Sequence, residues 1–185
     1  MEVKKLFFRK EFKLLTLLLI SMLIASASAA VYYSLNMSST ITTATNDVYF
    51  VTGTDATAAG VTLLLGNKSA TLTSLKAYAN MTTSYDNPIR VRNNNTGTSF
   101  NVRLRPVSRT GSAQYFVFIN FTLQTATKIS LNYTSSGATW TDPSTTGWAT
   151  VSPSTSYAIV VQTKANATAP SGQTASIEIA IDVQQ

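Results

Sequence analysis

Beyond residue 30 no stretch of ten or more residues carries apolar side chains at helical spacing, and strand-like runs take their place. They are Val48 to Val51, Val61 to Leu65, Ala70 to Ala79, Ile89 to Arg92, Phe100 to Arg105, Tyr115 to Leu123, Lys128 to Thr134, Tyr157 to Lys164 and Ala175 to Val183. Each is bounded by Gly, Pro, Asn, Asp or Ser clusters. The reading is an all-β chain, an Ig-like or jelly-roll-type β-sandwich of about nine strands. "GNK" at Gly66 to Lys68 and the longer "NNNTGT" at Asn93 to Thr98 are read as hairpin turns, and "APSGQ" at Ala169 to Gln173 leads into the last strand.

The first thirty residues differ. Lys4, Lys5, Arg9, Lys10 and Lys13 precede the apolar run Leu14 to Ala25, and the small-residue run "SASAA" follows it. A basic region, an apolar region and an A-x-A site in that order form a secretory signal, with cleavage after Ala29 or Ala30. Two alternatives stay open. Extended through Val31 and Tyr33, the apolar stretch reaches the roughly 20 residues of a membrane anchor, although Ser26 and Ser28 weaken it. A type IV pilin-like leader would keep the hydrophobic helix, but "FFRKEFKLL" lacks the Gly or Ala expected at its junction. The domains expected are a signal peptide (1–29), an N-terminal strand segment (30–43) and the sandwich (44–185).

The leader also accounts for much of the charge. It holds five of the fourteen basic residues and two of the eight acidic ones, so nine face six in the remainder, a net charge of +3. The pI near 9.7 is thus weak support for a nucleic-acid partner, and none is expected. With no cysteine, no disulfide framework holds the fold. Seven N-x-S/T sequons occur, at Asn36, Asn67, Asn80, Asn94, Asn120, Asn132 and Asn166. Twelve Asn and fifty Ser plus Thr in 185 residues would give roughly three by chance, and the excess points to an N-glycosylated exterior.

The composition offers little to catalysis. Absence of His and Cys excludes His-based triads, thiol nucleophiles and ordinary zinc sites. Glu178 and Asp182 are the closest paired carboxylates, but about 13 Å apart along one strand, beyond glycosidase geometry. Asp47 and Asp55 around "TGTDATAAG" supply too little charge for a calcium loop and are read as a solvated turn. The chain is therefore expected to be no enzyme and to need no cofactor or metal. Trp140 and Trp148 are read as capping a sandwich end rather than forming a sugar-stacking pair. The conspicuous pattern is arginine: Arg90 and Arg92 in one strand and Arg103 and Arg105 in the next alternate with apolar residues. If those strands pair, one face holds four like charges that something should neutralise, and the candidates are Glu178 and Asp182 from the same sheet or a neighbouring subunit, anionic glycans, or nucleic acid.

Directly behind the leader, "AVYYSLNMSSTI" (Ala30 to Ile41) places Val31, Tyr33, Leu35, Met37 and Ile41 on one face, with Ser39 alone breaking the row. That strand, the leader, the Cys-free Thr-rich sandwich dense in sequons and the closing "APSGQTASIEIAIDV" together resemble the archaeal thread and bundling-pilus subunits, themselves similar to TasA-like biofilm fibre proteins. The resemblance covers the chain in architecture but rests on pattern rather than a signature motif. It implies donor-strand complementation: residues 30–43 fill a groove in the next subunit, with the five apolar residues as anchors. The implied partners are copies of the chain itself, N-linked glycans and neighbouring filaments, and the membrane only through the uncleaved leader. The implied location is an extracellular filament at the cell surface, serving adhesion, cell-cell contact or biofilm.

Overall fold

The computed structural model describes residues 13–21 and 47–185, and the chain divides into two units, Met1–Ala44 and Thr45–Gln185. In the first, residues 13–21 form a helix, α1, whose leucines and Ile20 are all exposed. Among the described residues no helix is long and apolar enough to cross a membrane. The expected donor strand, its five anchors and Asn36 lie outside the described residues.

The second unit is built almost wholly of antiparallel strands. A six-stranded sheet has the order β1 (Val48–Thr52), β4 (Thr82–Asn93), β10 (Ser156–Ala165), β6 (Phe116–Leu123), β7 (Ile129–Ser136), β8 (Thr139–Thr141). A five-stranded sheet has the order β2 (Val61–Leu64), β3 (Ser69–Lys76), β11 (Thr174–Gln184), β5 (Phe100–Thr110), β9 (Ala149–Val151). One helical turn, α2 (Ala56–Ala59), and a short 3-10 turn (Ala113–Tyr115) complete it. Alternation puts Phe50, Ile89, Val91, Phe121, Leu131 and Ile159 of one sheet and Leu72, Leu75, Val102, Leu104, Ile177 and Ile179 of the other into one continuous apolar cluster. The architecture is all-β in two layers, as a sandwich requires.

Three expectations need correction. β8 and β9 add two strands inside the tryptophan-bearing stretch, where three residues are too few to show an alternating pattern. β4 begins at Thr82, seven residues before the expected start, and runs through Pro88. The proline sits where the β4–β10 register shifts between Ile159 and Val161, a bulge that tolerates its missing N–H. Its carbonyl accepts from Gly53 N at 3.0 Å, and a Cβ on Gly53 would stand 2.0 Å from the Asn87 carbonyl oxygen, so only glycine permits the approach. Finally, "NNNTGT" is no hairpin: β4 and β5 lie in different sheets, and this loop crosses between them.

A buried carboxamide holds that crossing. Asn93, 0% exposed, donates from Nδ2 to the carbonyls of Thr98, Val151 and Ser152 at 2.9, 3.2 and 3.1 Å. Its Oδ1 accepts from Asn95 N at 3.0 Å. Asn95 Oδ1 in turn accepts from the backbone N–H groups of Gly97 and Thr98 at 2.9 and 2.8 Å, a local turn that asparagine forms readily. Close to this crossing, where Val48 pairs with Asn93, Phe50 N donates to the Asn67 carbonyl at 2.7 Å and Lys68 Nζ to the Val48 carbonyl, tying edge strand β1 to the β2–β3 turn. Burial lowers the Lys68 pKa, and Asp47 only partly offsets this.

Replacing Asn93 by alanine strands buried polar groups at the crossing and is expected to lower stability by about 1–3 kcal/mol. The exposed neighbouring substitution Asn94→Ala is expected to stay within about 0.5 kcal/mol. Urea unfolding of both variants followed by circular dichroism checks the contrast.

Candidate functional site

The four arginines expected on one face are divided two and two, because β4 belongs to the six-stranded sheet and β5 to the other. On β4, Arg90 donates through Nε to Ser156 Oγ at 2.9 Å and through Nη2 to the Ser156 carbonyl at 2.8 Å, while Arg92 is exposed. On β5, Arg103 and Arg105 flank one carboxylate. Register puts Asp182 of β11 opposite Arg103, and its oxygens lie 2.9 Å from Arg103 Nε and 3.2 Å from Arg105 Nε. The Arg103 guanidinium also stacks over the Trp148 ring, 4.7 Å from its centroid. Glu178 meets hydroxyls instead: Ser69 Oγ donates to it at 2.6 Å and Ser108 Oγ at 3.0 Å. The expected pairing of acid with arginine thus forms at Asp182, within one chain, and Glu178 finds other partners.

The two tryptophans are used separately. Trp140 packs on Phe116 with ring centroids 5.6 Å apart and donates from Nε1 to the Gly111 carbonyl at 3.1 Å. Trp148 remains 40% exposed beneath Arg103. Asp55 holds its turn by accepting from Asn87 N at 2.9 Å, and Asp47 accepts from Asn95 Nδ2 at 3.0 Å. Among the described residues no group of three or more acidic side chains converges as a metal site would require.

Sequence reasoning missed a third cluster, which lies between the layers. β5 pairs with β9 only at Phe100–Val102, Thr146 then bonds to Leu104 N and O, each at 2.9 Å, and from Pro106 onward that edge has no strand neighbour among the described residues. Beside it Pro106, Val107, Ser108, Arg109, Tyr133 and Asp142 line a cleft of about 120 Å³. Arg109 Nε is 2.8 Å from Asp142 Oδ1 but off the N–H direction, so the contact is an ion pair without a hydrogen bond. Tyr133 is 1% exposed, its ring set edge-on to Phe121 at 6.0 Å, and its hydroxyl has no hydrogen-bond partner. Burial, reinforced by Asp142 and opposed by Arg109, raises the Tyr133 pKa well above its ordinary value. The hydroxyl therefore remains a donor.

Arg109 escaped notice for a register reason. Simple alternation from Arg103 and Arg105 puts residue 109 outside, but the β5–β11 register shifts between Glu178 and Ile179. Beyond that bulge Arg109 stands opposite buried Ile177, and directly opposed residues share a face. The signal was present only as Pro106, a residue that favours edges and bulges. No protein-family model matches the chain, and no curated protein matches it.

Asp182 supplies a test of the charged cluster. Burial raises its pKa, but the Arg103 and Arg105 contacts outweigh this and leave it below the ordinary 3.8. A depressed native pKa contributes stability above 3.8 that disappears as pH falls through the native value. The arginines are 39 and 46% exposed, so solvent screening limits the contribution to about 0–1 kcal/mol per pair. Asp182→Asn is expected to be less stable than the native chain at neutral pH, with the difference shrinking below about pH 3. Urea titrations of both proteins at the two pH values check this.

Proposed function

We propose that this chain is the structural subunit of an extracellular filament, polymerising head to tail by donor-strand complementation rather than acting as a catalyst. The observation that carries the reading is the apolar row Val31, Tyr33, Leu35, Met37 and Ile41 directly behind a secretory-type leader. Such a strand left in water is an aggregation hazard, and insertion between strands of another copy removes it. Side-chain burial alone does not offset the entropy of ordering the strand; main-chain hydrogen bonds on both edges complete the balance. An all-β body of two antiparallel sheets, with edge strand β1 starting at Val48 just after the segment, supports the reading. A contact that joins two different surfaces generates an open polymer.

Leu35→Asp is expected to abolish filaments while leaving secretion intact, because a buried unpaired carboxylate costs several kcal/mol. Ser34→Asp, on the alternate face, is expected to leave filaments in place. Electron microscopy of cells carrying each change decides the matter; normal filaments with Leu35→Asp, or equal loss with both, removes the reading.

The same proposal places N-glycans on the outer surface. Asn80, Asn94 and Asn132 are exposed. In contrast, Asn120 and Asn166 are half-buried with the amide nitrogen donating to Thr122 Oγ1 at 3.3 Å and the Gln114 carbonyl at 2.8 Å. Asn120 also faces Asn132 directly across β6 and β7. Because the glycosidic bond forms at that nitrogen, occupancy is expected to be higher at Asn80, Asn94 and Asn132 than at Asn120 and Asn166. Peptide mapping of the secreted chain by mass spectrometry measures it.

A further inference from the structure

We propose that the cleft between Arg109, Asp142 and Tyr133 binds a single sugar residue through a pair of adjacent hydroxyls. Three observations converge on it, and none depends on the filament reading.

The first is the Tyr133 hydroxyl. It belongs to a residue 1% exposed and bonds to nothing, although a buried hydroxyl without a partner is disfavoured. Tyr133 lines an open cleft rather than a sealed core, and its hydroxyl lies just beneath the surface of that cleft, so a partner entering from outside reaches it once the side chains covering it shift. The second is charge. Arg109 and Asp142 hold each other at 2.8 Å, so an entering anion meets the carboxylate and an entering cation meets the guanidinium. What remains is a neutral ligand that both donates and accepts. A hydroxyl does both: it donates to the Asp142 oxygen and accepts from Arg109 or Tyr133. Two adjacent hydroxyls match the three groups better than one.

The third is size and lining. A cleft of about 120 Å³ is well above the roughly 10–15 Å³ that admits one water, enough to receive one edge of a sugar ring. Its wall of Pro106 and the 44% exposed Val107 offers an apolar surface to the ring C–H groups. Alternation and a bulge together turned an arginine inward here, where a sandwich core would ordinarily hold an aliphatic side chain.

The test uses the chain purified without glycan and titrated by NMR with the methyl glycosides of mannose, galactose and glucose. Acetamide, which is neutral and both donates and accepts but has no adjacent hydroxyls, serves as the control. At least one glycoside is expected to give saturable shifts at Arg109, Tyr133 and Asp142, and acetamide none. Tyr133→Phe keeps the ring and removes the unpaired hydroxyl. It is expected to weaken binding by about 2- to 10-fold, the worth of one hydrogen bond, while melting at the same or a higher temperature than the native chain. Asp142→Asn is expected to weaken binding as well. Absence of shifts with every glycoside, equal shifts with acetamide, unchanged binding in Tyr133→Phe, or a lower melting temperature in that variant overturns the proposal. Shifts that follow protein concentration rather than glycoside mean that a side chain of a second copy fills the cleft, and overturn it too. Two sources of the sugar are separated by the glycosylated chain. Self-association that the binding glycoside disperses assigns the sugar to a second copy's glycan, whereas a glycosylated chain that stays monomeric and still binds the glycoside assigns it to a saccharide from elsewhere.

Discussion

With no cysteine to cross-link it, the two-sheet body depends on the apolar layer between its sheets. Phe50, Phe121, Leu72, Leu104 and Ile159 are 0% exposed and form one cluster with their buried neighbours. Each such side chain contributes about 1.5–3 kcal/mol relative to exposure. Everything else acts by keeping the two apolar faces opposed. Asn93 holds the loop that crosses between them, and Lys68 ties β1 to the β2–β3 turn. These polar contacts sit at the margins of the layer, where a hydrogen bond can reach backbone from both sheets.

The outer faces follow a different logic. Like charges accumulate on β5 because Arg103 and Arg105 alternate with buried Val102 and Leu104, and β11 answers with Asp182 opposite Arg103, while Glu178 stands opposite Ser108. Neutralisation is therefore local: one carboxylate takes two guanidiniums, the other takes two serine hydroxyls.

At the free edge of β5 both rules give way. The bulge opposite Glu178 and Ile179 turns Arg109 into the space between the sheets, where Asp142 meets it and the Tyr133 hydroxyl is left without a bond. Of the three buried side-chain polar atoms without a hydrogen-bond partner among the described residues, Arg109 Nε and the Tyr133 hydroxyl belong to residues that line this opening, and the third is Asn120 Oδ1. This contrast distinguishes the cleft from the self-neutralised sheet surfaces.

The sequence by itself determined the fold class, because period-2 alternation with no helical period can bury its apolar residues only in sheets. It also determined the location of most strands, and parity alone set Asp182 on the polar face of its strand, although its pairing with arginine required β11 to lie beside β5. The "GNK" turn joins its two strands as read, with Leu65, Gly66 and Asn67 at φ 52, 62 and 65°. Tertiary structure decided which strands are neighbours. Alternation states which face a residue takes but not which sheet its strand joins, so "NNNTGT" read as a hairpin although it spans the two layers. Tertiary structure also decided where alternation fails. Pro88 lies inside β4 because a bulge accepts it, and Arg109 faces inward because one extra residue in β5 reverses the parity that Arg103 and Arg105 established.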